Sequence, residues 1–255
     1  MKKVKMIVTI LLLIIILGSI GLVGFGYYKK GTLNVQNPVA TMEVENFGTI
    51  KIELYPEMAP NTVANFIKLS NNGFYDGLKF HRIVKDFMIQ GGDPKGDGTG
   101  TVTMSALDTS IEKDSEGDKE YNIKGEFIAN SVKNTLKHEE GVISMARADY
   151  TQYSASLAEA SYNSASSQFF IMTKNTTSLD GQYAAFGKVV EGLDIVHKIE
   201  NVKVKAAENG GEASTPETAP VIKQIRVETY GIDYGMPETL DAFNISNYFT
   251  SMYNY

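Results

Sequence analysis

The stretch FHRIVKDFMIQGGD, residues 80–93, sets Arg82 and Gln90 among Phe80, Ile83, Val84, Phe87, Met88 and Ile89. Taking a guanidinium out of water costs on the order of several kcal/mol unless new partners replace its hydration. The two polar side chains therefore either pair structurally or face a pocket. Arginine stays protonated and carries a rigid fork of N–H donors, so over an apolar cup it can donate to a weakly basic atom. Lys85-Asp86 reads as a turn between predicted strands 80–84 and 87–91, which would bring Arg82 across from the positions near Gln90, with Phe87 and Met88 close by. Such a site suits a mostly apolar substrate carrying one group that needs a proton donor. Proline within a peptide meets that description.

Other chemistries find less support. The loop GGDPKGDGTG, residues 91–100, lacks the Gly-Lys-Ser/Thr ending that puts a lysine and a hydroxyl on phosphate and metal, so its glycines are expected to serve loop geometry. Asp114, Glu116 and Asp118 alternate as calcium ligands sometimes do, yet the glycine and terminal glutamate of a calcium loop are missing from the required offsets. A solvated acidic patch is expected there. His81, His138 and His197 stand singly, and the chain has no cysteine, which argues against zinc and excludes a thiol nucleophile or a disulfide framework. No G-x-S-x-G elbow occurs.

The elements that must position Arg82 follow from periodicity. ATMEVENFGTIKIELYP, from Ala40, alternates apolar and polar residues around Asn46-Phe47-Gly48, a hairpin signal. In APNTVANFIKLSNNGFYDG, Pro60 suits a first helical turn, Val63, Phe66, Ile67 and Leu69 share one face, and Asn71-Asn72-Gly73 supplies the stop. Short apolar runs at 141–148, 167–173 and 184–190 are followed by a brief helix over 192–201 and a closing strand over 221–230. A polar segment over 101–120 reads as a solvated insertion. Many short strands with two helices predict a β-rich single domain, barrel or sandwich.

FHRIVKDFMIQGGDPKGDGTG, GVISMARA, SQFFIMT and LDGQYAAFGKVVEGLDIVHKI occur in an order and approximate spacing that resemble the cyclophilin-type peptidyl-prolyl cis-trans isomerases. The likeness runs from about Ala40 to Gly231. It implies a mainly β fold, an eight-stranded antiparallel closed β-barrel capped by two α-helices, with the site on the outer barrel face. It implies Arg82 as the catalytic arginine, Gln90 as the amide that helps hold it and the substrate backbone, and Phe87, Met88, Phe170 and Leu179 as floor and walls of a proline pocket. Gln168 would line the groove, Ala146 and Arg147 would match the segment whose backbone pairs with the peptide, and Tyr183 stands where the family has His or Tyr. No metal or cofactor is implied. The family's frequent aromatic residue before Leu179-Asp180-Gly181 is Ser178 here, a lower wall that puts binding of cyclosporin-type inhibitors in doubt. Residues 101–120 and 149–165 are longer than in compact members and are expected to rim the groove. The same groove without catalysis would make a chaperone or assembly module for proline-containing segments; Arg82, Phe87 and Gln90 favour the enzyme.

The two ends carry different information. Ile7 to Tyr28 run without a charge between Lys2, Lys3, Lys5 and Lys29, Lys30. A helix of that length spans roughly 33 Å, enough for a hydrocarbon core of about 30 Å. Residues 1–30 are therefore expected to be an N-terminal membrane anchor, with a cleaved signal peptide and a secreted product as the alternative. The expected form is membrane-anchored and bacterial-like, single-pass and monomeric, with the isomerase domain outside the cytoplasm. Residues 31–38 would be a linker, 39–231 the domain and 232–255 a tail rich in Asn, Tyr and Phe. Beyond residue 30 the chain has 19 basic and 30 acidic residues, a formal charge of −11, which argues against nucleic-acid binding.

Overall fold

A computed structural model describes residues 36–206 and 211–253, together with positions 16, 18, 19 and 21. The expected anchor, Ile7 to Tyr28, lies outside the described residues at all but those four positions. Among the described residues no helix is long and apolar enough to cross a membrane.

The domain begins as its alternation predicts. Strands β1 (Val39–Val44) and β2 (Gly48–Leu54) pair antiparallel from Val39↔Glu53 to Val44↔Gly48. Their alternate residues Ala40, Met42, Ile50, Ile52 and Leu54 are fully buried. The turn takes Asn46 to φ 62° and Gly48 to φ 129°, the second a backbone that side chains rarely tolerate. Helix α1 (Pro60–Asn71) has Pro at its first turn and no cap from its own N-terminal side chain. The buried Glu126 caps it instead: its carboxylate accepts from the N–H groups of Asn61 and Thr62 at 3.1 and 2.7 Å. A negative group there satisfies free donors and complements the positive end of the helix dipole.

Beyond α1 come β3 (Arg82–Val84), β4 (Met88–Gly91), the one-turn α2 (Met104–Leu107), β5 (Tyr121–Asn122), β6 (Val142–Met145), α3 (Ala158–Tyr162) and β7 (Phe169–Met172). The chain continues through β8 (Ala185–Glu191), α4 (Leu193–Glu200), β9 (Ile222–Glu228), β10 (Leu240–Asp241) and α5 (Ile245–Tyr253). Eight strands form one curled sheet in the order β3-β4-β7-β6-β8-β2-β1-β9. The expected closed barrel is thereby corrected: edge strands β3 and β9 share no ladder. The gap is spanned by the irregular segment before β3, through the bridge Lys79↔Val221 and the bonds from Gly77 N to Ile222 O at 2.8 Å, Ile222 N to Leu78 O at 2.7 Å and Phe80 N to Pro220 O at 2.9 Å. β3 has only three residues, too few to reach along β9.

Phe66 of α1 fills the interior, with ring centroids 5.8 Å from Phe169 and 5.2 Å from Phe186. Helix α4 buries Val196 and Ile199 against the other end and fixes the β3–β4 turn, because Glu200 accepts from Asp86 N at 2.6 Å. The insertion is only partly solvated: Val102 and Leu107 join the core, whereas residues 108–120 stay on the surface. The acidic patch is organised by Asp118, which accepts from Ser105 N and Asp114 N and is held near pKa 2, the Ser105 bond contributing most.

Candidate active site on the outer face of the sheet

Period-two alternation gives every strand two faces. Ile83, Ile89, Ile143, Phe169 and Ile171 point into the core. On the opposite face Met88, Val142, Phe170, Met172 and Ala185 form a separate apolar cluster, where an outer face would ordinarily be polar. Arg82 and Gln90 share this face and stand directly opposite each other in the β3–β4 register. Arg82 Nη1 donates to Gln90 Oε1 at 3.3 Å. The predicted turn is present, with Asp86 at φ 56°.

The amide of Gln90 is itself oriented. Its Nε2 donates to Gln168 Oε1 at 3.1 Å, and Gln168 Nε2 donates to the carbonyls of Gly98 and Gly100 at 3.2 and 3.1 Å. Those carbonyls belong to the glycine-rich loop, which the buried Asp93 folds by accepting from the N–H groups of Lys95 and Asp97 at 3.0 and 2.9 Å. Gly100 cannot be replaced without moving that carboxylate, since a Cβ would lie 2.0 Å from Asp93 Oδ1. The loop thus serves geometry, as its sequence suggested, and its product is a polar rail ending at Arg82.

Beside the rail lies a hollow of about 210 Å³. Phe87, Met88, Phe170 and Leu179 give it an apolar floor and wall, while Arg82, Gln90, Ala146, Arg147 and Tyr183 complete the rim. All of the residues expected from sequence are brought together here except Gln168, which lines an adjoining hollow and reaches the first through Gln90. The Arg147 guanidinium faces the Tyr183 ring at 4.7 Å and donates to Gln182 O at 3.1 Å, so its charge is held against aromatic rings. The Arg147 N–H and the Ala146 carbonyl make no hydrogen bond among the described residues, leaving one donor and one acceptor for an extended chain.

Behind Phe170 stands a buried chain that the sequence reading did not connect. His138 stacks on Phe170 at 6.1 Å, its Nδ1 lies 3.3 Å from Asp180 Oδ1 and its Nε2 3.2 Å from Ser144 Oγ. A carboxylate only accepts, so Nδ1 carries the proton and the Ser144 hydroxyl donates to Nε2. Ser144 is fully buried under the cup and cannot meet a substrate. Burial holds His138 below the ordinary histidine range, outweighing the pull of Asp180. Its stabilising contribution is therefore complete above the unfolded value, roughly 6.5, and is lost as pH falls through the folded value. His197, raised first by its bond to Glu200, acts in the opposite sense but is more exposed. We expect the denaturant midpoint to fall between pH 7 and 5, and to fall less in His138→Gln. Equal pH slopes in the two proteins would exclude the buried imidazole as the source.

Two further contacts lie outside the sequence motifs, one from a loop acid that nothing marked and one from the aromatic-rich tail, whose composition is unlike that of an ordinary flexible end. Glu212, from the loop before β9, accepts from Arg82 Nη2 at 2.6 Å. The tail folds back through β10, paired with β5, and sets Phe243 4.9 Å from Tyr150. Ala242 and Phe243 wall the adjoining hollow together with Tyr150 and Ser164, so the 149–165 segment rims the groove as expected, whereas of residues 101–120, also expected there, only Thr101 lines it.

Comparison with known proteins bears on this geometry. The family profile described as "Cyclophilin type peptidyl-prolyl cis-trans isomerase/CLD" matches residues 39–227. "Peptidyl-prolyl cis-trans isomerase B" of Bacillus subtilis is 38% identical over 158 residues, covering 62% of this chain and 87% of that protein. "Peptidyl-prolyl cis-trans isomerase 9" of Schizosaccharomyces pombe is 40% identical over 153 residues, 60% of this chain. The chain spans only 20% of that relative's length. A crystal structure of a Cryptosporidium parvum cyclophilin-type isomerase, determined in the presence of the dipeptide Ala-Pro, superposes with a TM-score of 0.57 at 27% identity, covering 74% of this chain and 98% of that one.

Proposed function

The chain belongs to the cyclophilin-type peptidyl-prolyl cis-trans isomerase family, and on that premise we propose that it accelerates rotation about X-Pro bonds in polypeptides. One observation carries the reading: a guanidinium braced by an amide stands on the rim of an apolar hollow. An X-Pro bond resists rotation by about 18–20 kcal/mol because of amide resonance. At the twisted midpoint resonance is lost and the proline nitrogen regains its lone pair. Arg82 donates to that nitrogen, a bond available mainly in the transition state, so the contact lowers the barrier rather than merely tightening binding. Phe87, Met88, Phe170 and Leu179 grip the ring and exclude competing water. The free N–H of Arg147 and carbonyl of Ala146 hold the preceding peptide while the bond turns. We take the active form to be a monomer, a reading that the oligomeric state in solution tests.

The reading extends to clients outside the cytoplasm, with residues 1–30 as a single-pass anchor of the kind expected in a bacterial-like form. Its support is the uncharged run Ile7 to Tyr28 between lysines. The enzymatic reading is tested by exchange spectroscopy on a short X-Pro peptide. Cis–trans exchange faster than the uncatalysed rate supports it, and a folded protein that leaves exchange unchanged refutes it.

A further inference from the structure

Arg82 sits on β3, the outermost strand of the sheet, and its side chain is 36% exposed. A long side chain at a sheet edge has no neighbouring strand on its outer side to confine it, and fixing it forfeits rotamer entropy. Gln90 alone is a thin restraint, one neutral acceptor at 3.3 Å on Nη1.

The loop between α4 and β9 supplies the missing flank. Ser214 O accepts from Ile83 N at 2.7 Å, so the loop lies along the free edge of β3 as a further strand would. Its approach is fixed at the base by Lys205 N to Thr215 O and Glu217 N to Lys203 O, both 2.8 Å. This docking carries Glu212 to Arg82, where Oε2 accepts from Nε at 3.2 Å and from Nη2 at 2.6 Å. The two edges of the guanidinium are thereby divided. Glu212 takes the Nε/Nη2 edge, and Nη1 is left with Gln90 and a weak 3.7 Å contact to Met88 Sδ.

We propose that Glu212 is a positioning residue that clamps Arg82 from the flank and keeps its Nη1 edge over the hollow. Glu212 does not line the hollow. Arginine has five N–H donors and the carboxylate engages two, so donors remain for a substrate. The loop is therefore a brace on the catalytic cation and not a plug in the groove. Because the contact it steadies is made mainly in the transition state, loosening it lowers kcat and leaves KM nearly unchanged. The pair is half exposed, so salt screens it.

The inference rests on the isomerase reading, and the experiment separates the two. Glu212→Ala and Glu212→Gln are compared with the unaltered protein for kcat and KM on a short X-Pro peptide at low and high salt. In parallel, ¹⁵N relaxation of the Arg82 Nε–H group is measured, which needs no catalysis. We expect Glu212→Ala to lower kcat about fivefold with KM within about twofold, and Glu212→Gln, which keeps a neutral acceptor, to recover part of the loss. High salt should lower kcat of the unaltered protein and not that of Glu212→Ala, and Arg82 Nε–H should become mobile in Glu212→Ala alone. Unchanged or increased kcat in a folded Glu212→Ala, or an Arg82 Nε–H equally rigid in both, overturns the clamp. If the unaltered protein proves inactive, the isomerase reading fails and the relaxation measurement still decides whether Glu212 holds Arg82.

Discussion

Arg82→Ala lowers kcat/KM on a short X-Pro peptide at least about a hundredfold, or about 2.7 kcal/mol, with the fold retained. The size follows from what the guanidinium does. In the proposed mechanism it is the charged donor aimed at the nitrogen whose basicity appears only as the bond twists, beside an apolar hollow that a bound proline ring would close to water. The loss should fall on kcat, since the peptide backbone and the proline ring keep their other contacts. The fold should survive because the partners Arg82 leaves behind are not stranded: Glu212 is exposed to water, and Gln90 keeps its bond to Gln168 at 3.1 Å. Arg82→Lys should recover little. An ammonium lacks the planar fork that lets one side chain meet Glu212, Gln90 and substrate together. Circular dichroism and the denaturant midpoint establish folding, and exchange kinetics give the rate. A folded Arg82→Ala with unaltered turnover would remove the mechanism, leaving the hollow as a binding site only.

How far this site could be read from sequence depended on whether its parts interact locally. Arg82, Phe87, Met88 and Gln90 lie within one hairpin, where period-two alternation and the Lys85-Asp86 turn fix which residues face each other. Helix α1 was legible to its ends because Pro60 and Gly73 punctuate an apolar face, and the observed helix ends at Asn71. Its cap was not legible, since Glu126 reaches it from 64 residues away. The same holds for Glu212, which meets Arg82 across 130 residues. Neither belongs to a periodic pattern, and an acid in a Gly/Ala/Ser loop has nothing to distinguish it from a solvated one. The chain His138, Asp180 and Ser144 was hidden for a related reason: each residue looks ordinary alone, and only the β6–β7 pairing and the 177–179 turn bring them under Phe170. The closed barrel was expected from the resemblance, and the actual edge is set by a detail below its resolution, the three-residue length of β3.

Phe170→Ala should act on the other kinetic constant, raising KM at least about tenfold, near 1.4 kcal/mol, while kcat changes less. Phe170 forms the floor of the hollow and is 5% exposed, its ring lying edge-on to Tyr183 at 5.6 Å and stacked on His138 at 6.1 Å. A proline ring seated there exchanges water for this surface in the ground state and at the twisted midpoint alike, so removing it weakens both by a similar amount. Truncation also opens a route for water to the buried imidazole and Ser144. The cost in stability should be about 2 to 3 kcal/mol, below the roughly 3–5 typical of a sealed core, because the new cavity opens to solvent. Phe170→Leu restores apolar volume without the flat ring and should keep KM within about threefold of the unaltered protein. The informative comparison is with Arg82→Ala. If the hollow grips and the guanidinium catalyses, one variant loses KM and the other kcat, and the paired change is near additive in free energy. A Phe170→Ala protein that folds and binds the peptide as before would place the proline ring elsewhere and detach the hollow from the reaction.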